Sequence, residues 1–530
     1  MAEYLHPGVY VEEIERGPRP IEGVPTSTAA MLGETERGPI KPTLVTSYKE
    51  YQRWFGGGFD RNKFLPDAVS GFFENGGKRT FIARIPGLSA KTAEAEFGDA
   101  FLFRAAGPGK WGNYVFVKVV DSTTTDSAGK PVGFRILLAC WPWSRVPKDF
   151  KPFDPFIAEN TKTQPRPSNL EDFDDLVTDQ ASPDYFGKRF PFVDLSKGEM
   201  NQGPDSSALG VLLRKQGAAS NAAPANEAKA LSGGDDDQEA VGVDDYVGDR
   251  GVLLAPQGLE ALKLDAYREV ALVYAPNVRQ DTILKVIAHC EELRFRFAVI
   301  DADKGQIDSG ALDPRTTLKL DSSYAAFYYP WIFSSDPHTG ARKLIPPGGH
   351  TLGVYARTDT ERGVFKAPAN EGLRGALDLE YEIDDKKQDN LNPRSVNVIR
   401  SFPGRGIRVW GARTLTSNAL WKYVSVRRLF IFLERSIYEG TQWVVFEPND
   451  PRLWARVSDT IRLFLRAQWR GGALFGRTEE QAFFITCDET VMTQDDILNG
   501  RLVCEIGIAP VRPAEFVIFR IFQNTAEAQR

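Results

Sequence analysis

An apolar strand pattern, Glu269-Val-Ala-Leu-Val-Tyr-Ala275, is followed by an amphipathic stretch from Asp281 to Leu293 and a second apolar pattern, Phe297-Ala-Val-Ile-Asp301. Ile283, Ile287 and Cys290 recur at three- and four-residue steps, so they share one face of a helix. A helix joining two neighbouring strands makes them parallel with a right-handed crossover, and parallel sheets are covered on both faces. This one unit commits the chain to an α/β core. The same alternation occurs earlier. Thr28–Gly33 reads as a short buried strand, and Ser47 begins the helix YKEYQRWF, which Gly56-Gly57-Gly58 stops. A second helix from Pro66-Asp67 to Asn75-Gly76-Gly77 leads into a strand at 80–85.

Between these halves, from about Glu96 to Asp249, the character changes. A β-rich piece (113–120 and 134–141) gives way to Pro-, Asp-, Ala- and Gly-rich sequence, and SNAAPANEAKALSGGDDDQEA at 220–240 is the most loop-like stretch of all. The whole reads as an insertion. Further on, Val426, Leu429, Phe430, Leu433 and Ile437 stand at helical spacing in 424–438, followed by an expected strand at 443–446. Asp450 caps and Pro451 starts another helix, with Trp454, Val457, Ile461 and Leu465 along one stripe before Gly471-Gly472. The two ends share an odd property. Val9-Tyr10-Val11-Glu12-Glu13-Ile14 alternates like a half-buried strand, and Ala514–Phe522 is apolar on both faces, yet neither has a hairpin partner nearby.

Composition removes several function classes. With 65 Lys+Arg against 71 Asp+Glu the net charge is -6, so no global field favours nucleic acid or an anionic membrane. The four cysteines (Cys140, Cys290, Cys487, Cys504) form no C-x-x-C motif and only four histidines accompany them, so no metal site is expected and the thiols are expected reduced and structural. The first residues carry acids where a signal peptide needs a basic start, and no apolar run approaches the ~20 residues that span a bilayer. Synthesis and folding in the cytoplasm are expected.

Candidate chemistry is sparse. Gly107-Pro108-Gly109-Lys110 is followed by Trp111, so it lacks the G-x-x-x-x-G-K-[ST] spacing that cradles phosphate and reads as a turn. Gly404-Arg405-Gly406 and Gly411 likewise lack a dinucleotide fingerprint and read as a turn and a kinked strand. Asp301 ends a parallel strand where open α/β sheets place ligand-binding groups, with Asp303 two residues on, but no nucleophile or third ligand completes a set. A turn-capping aspartate is the plainer reading. His289-Cys290 are adjacent on a helix and cannot easily ligate one metal. Asp235-Asp236-Asp237 lacks the alternating oxygen ligands of a calcium loop and reads as solvated. The arginines at 427, 428, 435, 452, 456, 462, 466 and 470 alternate with Glu434, Glu439, Glu447 and Asp459, which favours ion pairs within or between subunits over nucleic-acid binding.

Many separate blocks then resemble one family, in its order. They are YLHPGVYVEEIERGPRPIEGVPTS, AAFYYPWI, IPPGGHTLGVYARTDTERGVFKAPANE, FPGRGIRVWGARTL, VRRLFIFLERSIYEGTQWVVFEPND, LWARV and VMTQDDILNGRLVCEIGIAPVRPAEFVIFRI. These are similar to tail sheath proteins of contractile phages and phage-tail-like injection systems, over roughly 1–90 and 265–525. AAGPGKWGN and SPDYFGKRFPFVDLS are similar to sheath outer-domain segments, whereas 197–250 matches nothing.

The resemblance implies a mixed α/β fold with a discontinuous core and a β-rich inserted outer domain. It divides the chain into an N-terminal linking arm (1–20), a first core segment (21–95), the outer domain (96–249, loop-rich from 197), a second core segment (250–400), a C-terminal sheath domain (401–512) and a C-terminal linking arm (513–530). It implies a structural, non-enzymatic subunit without cofactors that polymerises with itself as stacked hexameric rings around an inner tube protein, together with baseplate and terminal cap proteins. Nucleic acid and membrane insertion do not belong to that picture. In the family the two arms join neighbouring subunits' sheets, which here assigns inter-subunit pairing to Val9, Tyr10, Val11, Ile14, Phe516, Val517, Ile518, Phe519 and Ile521. An attachment helix grips the tube, and Thr493, Gln494, Asp495, Asp496 and Asn499 are the candidate for it. Two alternatives stand beside this reading: an α/β enzyme with a ligand site near Asp301, and a non-contractile tube or baseplate component.

Overall fold

A nine-stranded sheet forms the centre of the computed structural model, which describes residues 20–520 except 163–164, 196, 198–203, 238–239, 249–256, 307–311 and 338. Its six middle strands are parallel and run side by side in the order Val396–Phe402, Ala325–Tyr329, Phe297–Asp301, Leu272–Tyr274, Ala29–Gly33 and Thr80–Arg84. Antiparallel strands close both edges: Thr43–Val45 on one side, Gly406–Val409 and Glu371–Gly372 on the other. The parallel pair expected from 269–301 is present, with Val273 opposite Ala298. Its connecting helix, Gln280–Leu293, buries Ile283, Val286, Ile287 and Cys290 and ends where Arg294 adopts a left-handed conformation.

Two more helices, Leu65–Glu74 and Gly348–Arg362, cover the sheet and pack closely on each other. Glycine makes that approach possible. A Cβ on Gly71 would lie 2.1 Å from His350 Nδ1, and one on Gly349 would lie 2.4 Å from the Ala68 Cα. The glycines at 404 and 406 both have positive φ and turn the strand Val396–Phe402 back into Gly406–Val409, as the sequence implies.

Residues between the two halves of this core build two four-stranded sheets with an apolar centre of their own, containing Phe97, Phe103, Trp111, Val117, Leu138 and Phe190. Here the sequence understates the order. Asn169–Leu176 carries four acidic residues, yet it is a strand paired with Phe134–Cys140; Leu176 points inward and Asp172 pairs with Arg135 at 2.6 Å. The loop-like stretch at 220–240 contains the strand Ala228–Ala230, which adds to Val115–Asp121. The acidic run is not simply solvated either. The Asp236 carboxylate accepts from the Lys110 amide at 3.0 Å, and that of Asp237 accepts from the Ser89 amide at 2.9 Å.

By contacts the chain divides into a unit spanning Pro25–Arg428 and a second containing residues up to Val24 together with those from Leu429 onward. In the second unit the helix Pro451–Arg470 is capped by Asp450, whose side chain accepts from the Leu453 amide, and it buries Trp454, Val457, Ile461 and Leu465 as the stripe requires. The strand expected at 443–446 is absent. A 3-10 turn at Gln442–Val444 stands there, Phe446 takes a positive φ, and Val445 and Phe446 are exposed. With no strand among the described residues pairing with this apolar run, the Val444 carbonyl is satisfied locally by the Glu447 amide.

Candidate assembly surfaces

Asp301, the residue on which an enzymatic reading rests, is held by two donors. The Tyr274 hydroxyl donates to one carboxylate oxygen, and the Gly348 amide donates to the other at 2.8 Å. Gly348 is the first residue of the helix Gly348–Arg362, so the carboxylate caps a helix N-terminus rather than facing open space. Burial nevertheless pushes its pKa up to about 7 against these donors. Asp303 is exposed. A cavity of about 130 Å³ does lie near the strand ends, lined by Glu34, Lys63, Tyr246, Asn277 and Arg279 among others, but Asp301 does not line its wall.

Four of the eight arginines singled out in the sequence meet acids within their own units. Arg428 makes a bidentate contact to Asp359 at 2.9 and 2.5 Å, with both side chains at most 4% exposed. Arg435 pairs with Glu439, Arg456 with Glu447 and Arg466 with Glu479. The positive charge of these residues is matched locally, in line with the alternation seen in the sequence.

The C-terminal segment has a different character. Phe483–Thr486 and Glu505–Ile508 form a two-stranded antiparallel sheet, in which Phe484 lies over Gly507. The chain runs on beyond it through backbone contacts of Ala509 with Ala482 and Phe475, and of Val511 with Ala473. From 512 to 520 no regular element follows, and Phe516, Val517, Ile518 and Phe519 are 71, 67, 78 and 84% exposed. Four consecutive apolar side chains thus face water in the segment that follows this sheet. The other assigned arm residues, Val9, Tyr10, Val11, Ile14 and Ile521, lie outside the described residues. At the N-terminal side the described chain starts beside its own helix: Ile21 sits against Gly440, and the Val24 amide donates to Ser436 Oγ at 3.1 Å.

The segment assigned to the tube is a single helical turn, Gln494–Leu498, between those two strands. Thr493 and Asp496 form a reciprocal cap: Thr493 Oγ1 accepts from the Asp496 amide, and the Asp496 carboxylate accepts from the Thr493 amide and hydroxyl. These bonds hold the Asp496 pKa below the usual carboxylate range. Asn499 donates to the Asp495 carbonyl, and Arg501 pairs with Asp495 and Asp496. Leu498 projects outward, 82% exposed. Leu498 belongs to the segment 493–500 that the sequence singles out as polar, whereas sequence reasoning missed that Cys487 and Cys504 stand one step beyond the paired strands, where only the register brings them together.

The whole fold is similar to that of contractile sheath subunits. A sheath chain of an extracellular contractile injection system, the PVC sheath complex in its contracted state, matches with a TM-score of 0.57 at 22% identity, covering 100% of both chains. A chain of the six-fold symmetrised baseplate of the anti-feeding prophage matches with a TM-score of 0.53 at 21% identity, covering 98% of this chain and 100% of that one. Two adjacent family models also match: the phage tail sheath protein central domain over 240–415 and the phage tail sheath C-terminal domain over 416–524, together more than half of the chain. The chain belongs to the tail sheath protein family. Among curated relatives, the tail sheath protein of Salmonella phage ViI is 28% identical over 267 residues, 46% of this chain. The match spans 41% of that relative's length.

Proposed function

We propose that this chain is the structural sheath subunit of a contractile, phage-tail-like injection system. It polymerises as stacked hexameric rings around an inner tube, meets baseplate and terminal cap proteins at the ends, and contracts to drive the tube through a target envelope. The observation that carries this reading is the exposed apolar row at 516–519, in the segment that follows a two-stranded sheet. Similarity to a contracted sheath and to a chain of a six-fold symmetrised baseplate supports contraction and ring symmetry.

The physics fits linked subunits. Ordering a ten-residue arm costs on the order of 10–20 kcal/mol of backbone entropy, which an isolated chain does not recover. Docked by strand addition, each arm gains backbone hydrogen bonds of ~0.5–1.5 kcal/mol each, plus apolar burial. Val9, Tyr10, Val11 and Ile14 at one end, and Phe516–Phe519 with Ile521 at the other, are the linking strands, at the edges of the partition into arms, core, outer domain (96–249) and C-terminal domain. Subunits tied at both ends can rotate and slide without separating. Work then comes from the difference between two packings multiplied over many copies, and firing needs no nucleotide and no catalytic residue.

The turn at 493–499 faces the tube. Assembly takes place in the cytoplasm, and among the described residues no helix is long and apolar enough to cross a membrane. Negative-stain microscopy of the full chain beside a deletion of residues 1–20 tests the reading. Ringed cylinders from the first and none from the second are expected; dispersed particles from both under assembly conditions would overturn it.

A further inference from the structure

The ladder between Phe483–Thr486 and Glu505–Ile508 places Phe483 opposite Ile508 and Thr486 opposite Glu505. One step further in the same register stand Cys487 and Cys504. The kind of pair they make follows from the hydrogen bond of the Ala509 amide to the Ala482 carbonyl at 2.9 Å. Bonded and non-bonded pairs alternate along an antiparallel ladder, so 482/509, 484/507 and 486/505 are bonded pairs and 487/504 is a non-bonded one. Side chains approach most closely at such positions, with Cα atoms ~4.5 Å apart, inside the ~4.4–6.8 Å that a disulfide spans.

Both residues are free thiols, and each lies near enough to shift the other's titration, with Ser458 also acting on Cys487. Cys487 is buried, whereas Cys504 is partly exposed and open to a reagent. The remaining cysteines, Cys140 and Cys290, are buried in two other apolar clusters.

We propose that Cys487 and Cys504 are an oxidisable dithiol, which a small-molecule disulfide such as oxidised glutathione converts into a cross-strand disulfide. The Cys504 thiolate attacks one glutathione sulfur, breaks its S–S bond and expels one glutathione thiolate, which takes up a proton. Cys487, losing its own proton, then attacks the Cys504 sulfur and expels the second glutathione. The protein loses two protons and two electrons, and one glutathione disulfide becomes two thiols. Burial and the neighbouring thiol push Cys504 up to about 12, so the reaction is slow at neutral pH and accelerates as pH rises. The new bond closes the segment 488–503, which carries the capped turn at 493–499. A reducing cytoplasm keeps the pair open, and an oxidising exterior closes it.

The test uses the full chain incubated with oxidised glutathione, then alkylated in denaturant and digested with trypsin. Cleavage at Arg477 and Arg501 separates the two cysteines, and Pro513 protects the bond after Arg512, so the expected product joins 478–501 to 502–520 and is two hydrogens lighter than the free peptides. Cys487→Ser is expected to leave a stable glutathione adduct on Cys504, because the resolving thiol is gone. A persistent glutathione adduct on Cys504 of the unmodified chain, a Cys504 link between two copies, or both thiols still alkylatable after oxidation would overturn the proposal.

Discussion

Replacing Ile518 by Asp tests whether the C-terminal arm is a strand that docks on a neighbour. Phe516 and Ile518 are two residues apart and share one face of a strand, and both are more than 70% exposed in the single chain. Burying a side chain of this size stabilises by ~1.5–3 kcal/mol, and a carboxylate in its place loses that gain and adds a desolvation cost. A loss of ~2 kcal/mol per arm is a factor of roughly 30 in the link's equilibrium constant at 1.4 kcal/mol per tenfold. The concentration at which polymer first sediments should rise by at least that factor. The unassembled subunit should melt as before, because an exposed substitution shifts stability by no more than ~0.5 kcal/mol. Val517→Asp probes the opposite face. If both variants sediment at the same threshold as the unmodified chain, the strand-docking argument is wrong.

Three further outcomes follow from the same structure. Arg428→Ala strands the buried Asp359 carboxylate and should cost ~3–5 kcal/mol in urea unfolding, so a loss below ~1 kcal/mol would mean the pair is solvated. Thr493→Ala removes the reciprocal cap, at a local cost of ~0.5–2 kcal/mol; faster hydrogen exchange at the Asp496 amide is expected, with global unfolding unchanged. Asp301 is pushed up to about 7, so between about pH 4 and 7 the folded chain keeps a proton that the unfolded carboxylate, with a reference pKa of about 3.9, has released. Its contribution is therefore full below about pH 4 and lost as pH rises through 7. Asp301→Asn should flatten that portion of the stability profile and leave polymerisation intact, while loss of polymers would assign Asp301 a role in assembly.

The elements legible in the sequence were those whose signals are local. Ser47 and Asp450 cap the helices they precede, and the stripe Trp454, Val457, Ile461 and Leu465 is buried. Phe297–Asp301 forms its strand at the expected bounds. What stayed hidden depends on distant partners. The acidic strand Asn169–Leu176 is a strand because Phe134–Cys140 lies beside it, and the apolar run 443–446 is not one because no strand among the described residues pairs with it. Asp301 was legible as the end of a strand, but the Tyr274 hydroxyl and Gly348 amide that occupy it come from 27 and 47 residues away. The facing of Cys487 and Cys504 is a matter of register, which depends on how the ladder between them closes.

The central claim is that the terminal segments link one copy to another. A photo-crosslinking residue at position 518, in polymers grown from an equal mixture of isotopically light and heavy chains, tests it most directly. Crosslinks between light and heavy chains, landing on the sheet formed by Phe483–Thr486 and Glu505–Ile508, are the expected result. Links confined to a single chain, in material that microscopy shows to be assembled, would contradict the account.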